Sequence, residues 1–335
     1  MHRKIIYLIT TLILIQTNHV MAQETTNLLN QTEELGKVHW YRNYDEAIAV
    51  AKKEKKDIVI LFQEVPGCAT CRNYGHNVLS HPLMVDALEN AFIPLVIYNN
   101  KNGNDKKILD KFNEPSWNNP VVRIIDTEGN NRVQRVNNDY SALTLCKRLK
   151  EALTTRKTAI PQYISILEQE ITAQTAKHVN EAHFKMYCFW TGEKQLGKLD
   201  GVLDVESGFI NHSEVVKVKY SSSLVSESDL LIYAKKQGFQ FINNATNYKT
   251  AVNDVHYYLM HSDYKYLPLS EIQKTKINSA LGSHKEAEKY LSPTQLKWLH
   301  FLKNNKEKGF DIYLNKGIED AWELMKIKYT KFSKK

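Results

Sequence analysis

Two hydrophobic patterns alternate along the first half of the chain. Short apolar runs read as buried strands: the segment 57–62 with Ile58-Val59-Ile60-Leu61-Phe62, then Ile93 to Tyr98, then Val121 to Asp126 opened by Asn119-Pro120. Between them lie helix signals. Asn43-Tyr44-Asp45-Glu46 is a helix start, and Ala47 to Lys56 continues it to the basic exit that the helix dipole favours. A helix-like run spans Tyr74 to Ala91, a shorter one surrounds Lys106 to Phe112, and another extends from Ser141 to about Thr155. Asn99-Asn100-Lys101-Asn102-Gly103 breaks the pattern, and Thr127-Glu128-Gly129-Asn130 predicts a hairpin turn into a strand from Arg132 to Val136. Tyr163, Ile164, Ile166, Leu167 and Ile171 recur near a 3.6-residue period, which predicts a connecting helix from Pro161 to about Gln174.

The second half changes character. Glu181 to Tyr187 reads as a strand running into Cys188 and a helix to about Leu199. Leu230-Leu231 opens a further helix. Beyond 255 the pattern is helical, with starts at Leu269-Ser270-Glu271, at Ser292-Pro293 and near Ile318, and with Trp298 and Trp322 at core-like spacing. The expected organisation is a leader over 1–22, an α/β domain over 38–155, a linker helix over 156–178, an α+β domain over 179–255 and a helical extension over 256–335.

The leader changes the chemical setting. His2-Arg3-Lys4 is a basic n-region, Ile5 to Ile15 is apolar, and Val20-Met21-Ala22 supplies a cleavage site before Gln23. The apolar run falls short of the ~20 residues that span a bilayer. A secreted or periplasmic chain follows, with no stable membrane span and no lipid attachment, because no Cys follows the cleavage point. The chain of 335 residues holds four Cys (Cys68, Cys71, Cys146 and Cys188), too few for a disulfide-stapled scaffold and suited to catalytic thiols in an oxidising compartment. The net charge of +8, which drops by two with Arg3 and Lys4, is scattered. The basic tail from Lys326 to Lys335 reads as a solvated end, so nucleic acid is not an expected partner.

The candidate chemistry sits in Glu64-Val65-Pro66-Gly67-Cys68-Ala69-Thr70-Cys71, between an apolar strand and a helix. A Cys at a helix start meets unpaired N–H groups and the positive end of the dipole, and both stabilise a thiolate. Cys68 is therefore the expected nucleophile and Cys71 the resolving thiol. The alternatives are a structural disulfide or half of a zinc site, and the latter needs further Cys or His at ligand spacing. No metal and no cofactor is expected. Cys146, alone on a helix, reads as a buried small hydrophobe.

The order helix, strand, CxxC, helix, strand, helix, Pro-strand, hairpin, helix resembles a thioredoxin-like domain. That resemblance implies that Pro120 is cis and faces the dithiol, contributing to client binding. The Val-Pro-Gly-Cys-x-x-Cys form also resembles a thioredoxin-like group written VPGUxxT, which supports Cys68 as the attacking atom. Farther on, Cys188-Phe189-Trp190, Leu199-Asp200-Gly201-Val202, His212-Ser213-Glu214-Val215-Val216 and Thr246-Asn247-Tyr248-Lys249-Thr250-Ala251-Val252 resemble peptide-methionine (S)-S-oxide reductase, the A-type methionine sulfoxide reductase. The resemblance implies Cys188 as nucleophile, Glu214 as proton donor and Tyr248 as hydrogen-bond donor to the sulfoxide oxygen. Phe189 and Trp190 would wall the substrate methyl, and Phe209 stands where the family has a second Tyr. Tyr187 replaces the family's Gly before the nucleophile. No Cys follows Cys188, so the only thiols able to resolve its sulfenic acid are Cys68, Cys71 and Cys146. The sequence thus predicts an oxidoreductase in which the Cys68–Cys71 dithiol relays electrons to Cys188. Its clients are oxidised methionines or disulfides of peptides and proteins, and its electron supply is an external thiol reductant. The alternative is a thioredoxin-like thiol–disulfide oxidoreductase whose second domain binds clients without sulfoxide chemistry.

Overall fold

The computed structural model describes residues 25–176, 179–305 and 309–333. The leader expected over 1–22 lies outside them. None of the described helices is long and apolar enough to cross a membrane.

The first unit is built on three strands. Helix α1 (Tyr44–Glu54) is capped by Asn43, whose side chain accepts from the N–H groups of Asp45 and Glu46. Strand β1 (Ile58–Gln63) follows, buried along its whole length. Then come α2 (Ala69–Asn77), α3 (Pro82–Ala91), β2 (Ile93–Tyr98), α4 (Asn104–Lys111), β3 (Val121–Ile125), α5 (Ala142–Thr155) and α6 (Gln162–Ala176). The sheet order is β2-β1-β3, with β1 parallel to β2 and antiparallel to β3. The alternation of β1 divides two cores. Val59 and Leu61 face Tyr74, Leu83, Leu149 and Leu167, while Ile58, Ile60 and Phe62 face Ala47, Ala51 and Leu109. A strand covered on both faces has no polar side to show, which explains its unbroken apolar run.

The expected helix from Tyr74 to Ala91 is two helices. Pro82 occupies the first turn of α3 and holds His81 extended (ψ 125°), so α2 cannot run through. The expected strand from Arg132 to Val136 is reduced to two isolated bridges, Ile125 with Asn131 and Val122 with Val136. The segment expected as a linker helix is embedded: Tyr163, Ile164, Leu167 and Ile171 of α6 lie in the first unit's core.

The second sheet contains β4 (Val179–Lys185), β5 (Val202–Ile210), β6 (Ser213–Ser221), β7 (Gln240–Ile242) and β8 (Lys249–Thr250) in the order β7-β4-β6-β5-β8, antiparallel throughout. Asn211 and His212, both at positive φ (47° and 67°), form the two-residue turn between β5 and β6. One face of this sheet packs against α7 (Phe189–Leu196) and α8 (Glu227–Lys236), through Phe184, Val205, Val216 and Val218 against Phe189, Leu196 and Leu230.

The short α9 (Tyr257–Met260) leads to α10 (Glu271–Gly282), α11 (Pro293–Lys303) and α12 (Ile318–Ser333). Ser270 and Ser292 each form a capping box, with Gln273 and Gln295 respectively. Helix α10 is buried on almost every side despite its polar sequence, and its side chains bond to neighbouring backbone. Lys276 donates to the carbonyls of Lys198 and Leu199 (3.1 and 2.6 Å), and Thr275 to that of Leu203 (3.1 Å). These helices also bind the first unit. Thr294 donates its N–H and hydroxyl to Asp86 of α3 (3.0 and 2.7 Å), Ile318 enters the first core, and Trp322 packs against that core while meeting Trp298 of α11 edge-on at 4.6 Å.

Candidate functional site

Two thiol centres come out of this fold. The first is at the carboxyl end of β1, where the chain turns into α2. Cys68 is the N-cap residue of α2 in extended backbone (φ −71°, ψ 176°) and is exposed. Cys71 lies one turn in and is fully buried. Their sulfurs are 3.7 Å apart. The Cys71 N–H, aimed at the Cys68 sulfur, lowers the Cys68 pKa, and the Cys71 thiol and Thr70 add to it. Burial pushes the Cys71 thiol up to about 12, helped by its hydrogen bond to Cys68. The two sulfurs are thus shifted in opposite directions, Cys68 toward the thiolate and Cys71 toward the thiol. The Cys71 thiol donates to Asn119 Oδ1 (2.9 Å), the residue joined by a cis peptide bond to Pro120.

The supporting residues come from distant parts of the chain, and the sequence reading missed them. Glu34 is buried, and its carboxylate accepts the Gly67 N–H at 2.8 Å. Burial alone would raise its pKa; that hydrogen bond, with lesser contributions from Thr32 and Arg72, outweighs burial and keeps it lowered. Gln63, at the end of β1, donates from Nε2 to the carbonyls of Glu34 (2.8 Å) and Cys71 (3.3 Å). Gly67 is required by space: a Cβ there would lie 2.4 Å from the Glu64 carbonyl oxygen and 2.7 Å from Cys71 Cβ. A carboxylate oxygen of Glu64 and the two sulfurs lie within 4.8 Å of one another, so the dithiol also offers a set of metal donors.

The second centre is at the N-terminus of α7. Cys188 is its N-cap residue and is half-buried. The Phe189 N–H donates to Glu214 Oε2 at 2.8 Å, so Glu214 caps the helix beside Cys188. Phe209 and Glu214 pair directly across β5 and β6. The Phe209 ring meets Phe189 edge-on at 5.4 Å, and Trp190 stacks on Tyr257 at 4.0 Å. The fold therefore brings together Cys188, Phe189, Trp190, Phe209 and Glu214. It does not bring Tyr248 to them. The Tyr248 ring lies where a Cβ on Gly208 would be (2.4 Å), beside Lys217 and His183, and its hydroxyl donates to the Glu206 carbonyl (3.0 Å). Gly208 and Lys217 face away from the side that Phe209 and Ser207 present to α7. Tyr248 is thus behind the sheet, and the expected role on a sulfoxide oxygen is corrected. Burial raises the Tyr258 pKa, with a smaller contribution from Cys188.

Behind α7, Glu193 is buried with all its lone-pair directions used. It accepts from Ser207 Oγ (2.8 Å), the His256 N–H (2.8 Å), the Tyr257 N–H (3.3 Å) and Asn278 Nδ2 (2.9 Å). It ties α7, β5, α9 and α10 into one body. Cys146 is buried on α5, and burial pushes its thiol up to about 12, as befits an inert core residue.

Residues 39–127 match a family model described as thioredoxin-like. Among solved structures, a chain titled DsbH Oxidoreductase is similar at 17% identity and a TM-score of 0.31, covering 38% of this chain and 94% of that one. No curated protein matches the chain. The family match spans β1, the dithiol, Pro120 and β3, and it ends before α5; over residues 39–127 the first unit is thioredoxin-like.

Proposed function

We propose that the protein is a thiol–disulfide oxidoreductase in which Cys68 attacks and Cys71 resolves. One observation carries this reading: the two thiols are 3.7 Å apart and oppositely tuned, the exposed one toward thiolate and the buried one toward thiol. A Cys68 thiolate attacks a client disulfide, forming a mixed disulfide and expelling one client thiolate. Cys71 then loses its proton, attacks Cys68 Sγ, and releases the second client thiolate as the 68–71 bond closes. Two electrons pass from the dithiol to the client, and an external thiol reductant restores them. Insulin-disulfide reduction tests it: activity disappears in Cys68→Ser, while Cys71→Ser accumulates mixed disulfide without turnover. Full activity in Cys68→Ser refutes it.

A second reading adds chemistry at Cys188, favoured by the capping of that helix end by Glu214 and by the aromatic wall of Phe189, Trp190 and Phe209. Here Cys188 attacks the sulfur of a methionine S-sulfoxide, Glu214 supplies a proton, and methionine leaves with the oxygen retained on Cys188 as sulfenic acid. Cys68 displaces that oxygen as water, and Cys71 frees Cys188 by closing the 68–71 disulfide. Turnover of a methionine-S-sulfoxide peptide with dithiothreitol, lost in Cys188→Ser, supports it. No turnover in the wild type alongside intact insulin reduction removes it and leaves the dithiol as the catalytic centre. The expected setting is an exported, oxidising compartment.

A further inference from the structure

The dithiol has a neighbour that disulfide exchange does not use. Glu64 is the last residue before the loop, half-buried, and its carboxylate stands within 4.8 Å of both sulfurs. Among the described residues no hydrogen bond or ion pair holds that carboxylate, so it is free to turn. The spacing of the sulfurs is informative. Two Zn–S bonds of about 2.3 Å at a tetrahedral angle put their sulfurs about 3.8 Å apart, and a Zn–O bond of about 2.0–2.2 Å puts the oxygen about 3.5 Å from each sulfur. The thiol pair already stands at 3.7 Å. Glu64 has to close by roughly 1 Å, a side-chain rotation rather than a backbone shift. Because Cys68 is exposed, a water can complete the remaining tetrahedral position.

We propose that the reduced dithiol and Glu64 form a site for one thiophilic divalent cation, Zn2+ in the first instance, and that binding closes the dithiol to exchange. The inference rests on the dithiol reading above. The step balances: Zn2+ displaces one proton from each thiol, and two Zn–S bonds form. Zn2+ must leave before a client disulfide can oxidise the pair; the freed dithiol then gives up two electrons, the client becomes two thiolates, and the 68–71 disulfide left behind no longer ligates. Metal loading is thereby linked to redox state. Burial of Cys71 works against its ionisation, and the cation offsets this by supplying the charge the apolar surroundings lack.

The test is competition between the reduced full chain and a chromophoric zinc chelator, using Zn2+ alone as probe. One Zn2+ per chain is expected. Oxidation of the dithiol, Cys68→Ser and Cys71→Ser each abolish uptake. Glu64→Gln weakens it at least about 10-fold, since losing even an outer-shell partner costs that much. Zn2+ is also expected to stop insulin reduction, with recovery on adding chelator. No stoichiometric uptake, uptake unchanged in Cys68→Ser, or equal affinity in Glu64→Gln each overturn the proposal. A chain that binds Zn2+ through these three residues yet leaves insulin intact removes the proposed function and not this site. A chain that reduces insulin and takes up no Zn2+ does the reverse.

Discussion

Replacing Cys71 with Ala separates the two sources of thiolate stabilisation at Cys68. The Cys71 N–H, the larger one, survives the substitution, and the Cys71 thiol does not. A hydrogen bond to a charged acceptor contributes about 1.5–3 kcal/mol, but a thiol is a weak donor, the one Cys71 proton is shared with Asn119 Oδ1, and Cys68 is open to water, so the lower end or less applies. With about 1.4 kcal/mol per pH unit, the Cys68 pKa should rise by roughly 0.5–1 unit in Cys71→Ala. Cys71 itself, at about 12 against an ordinary 9.0, carries negligible thiolate at neutral pH and should contribute nothing to the wild-type titration below pH 9. The assay is thiolate absorbance near 240 nm against pH, in a Cys146→Ala, Cys188→Ala background so that Cys68 alone titrates in the variant. A Cys68 pKa that stays fixed or falls in Cys71→Ala refutes the reasoning. So does a wild-type profile in which Cys71 titrates first.

Gly67→Ala should cost about 1–3 kcal/mol and slow insulin reduction at least 10-fold, because its Cβ meets the Glu64 carbonyl and Cys71 Cβ; thermal denaturation and the turbidity assay measure the two effects. Cys146 keeps its proton in the folded state up to about 12, whereas the unfolded thiol ionises near 9.0, so its contribution is intact below pH 9 and is lost as pH rises toward 12. Denaturant midpoints should therefore fall above pH 9 less steeply in Cys146→Ala than in wild type, by up to about 1.4 kcal/mol per pH unit. Glu170, on α6, accepts the Ile272 N–H at the start of α10, and burial lifts its pKa to about 7. Its folded form holds a proton that the unfolded chain releases above 4.5, so wild-type stability declines from pH 4.5 to 7 on its account. Glu170→Gln should raise the melting temperature at pH 8 and leave it unchanged at pH 4, with equal shifts at both pH values counting against this assignment.

What the sequence made legible was local. The strand, turn and helix around Cys68 announce themselves in a single stretch, and so do the caps Asn43, Ser270 and Ser292. Residues that converge from afar carried no such signal. Glu34 looks like any acidic residue of a polar segment, and its burial under Gly67 depends on how the chain before α1 lies against α2. Gln63 reads as the end of an apolar run, and only its position beneath the dithiol gives its amide a purpose. Tyr248 shows the opposite failure. Its neighbours in sequence fit a pattern, but the face of a strand follows from register, and one step separates Gly208, against which Tyr248 packs, from Phe209, which meets Phe189. The hairpin at Asn211-His212 lacked the glycine that marks such turns. Helix α6 and the last helices were legible as amphipathic segments, but periodicity does not say which core receives them. Asp86, Thr294 and Ile318 settle that through contacts some two hundred residues apart.

Cys68 is the sulfur proposed to meet the client. The most direct test is the mixed disulfide trapped when reduced, full-length Cys71→Ala is mixed with a disulfide peptide and digested for mass spectrometry under non-reducing conditions. One adduct per chain is expected, on the peptide containing Cys68. An adduct on Cys188 or Cys146 with Cys68 free, or no adduct at all, contradicts it.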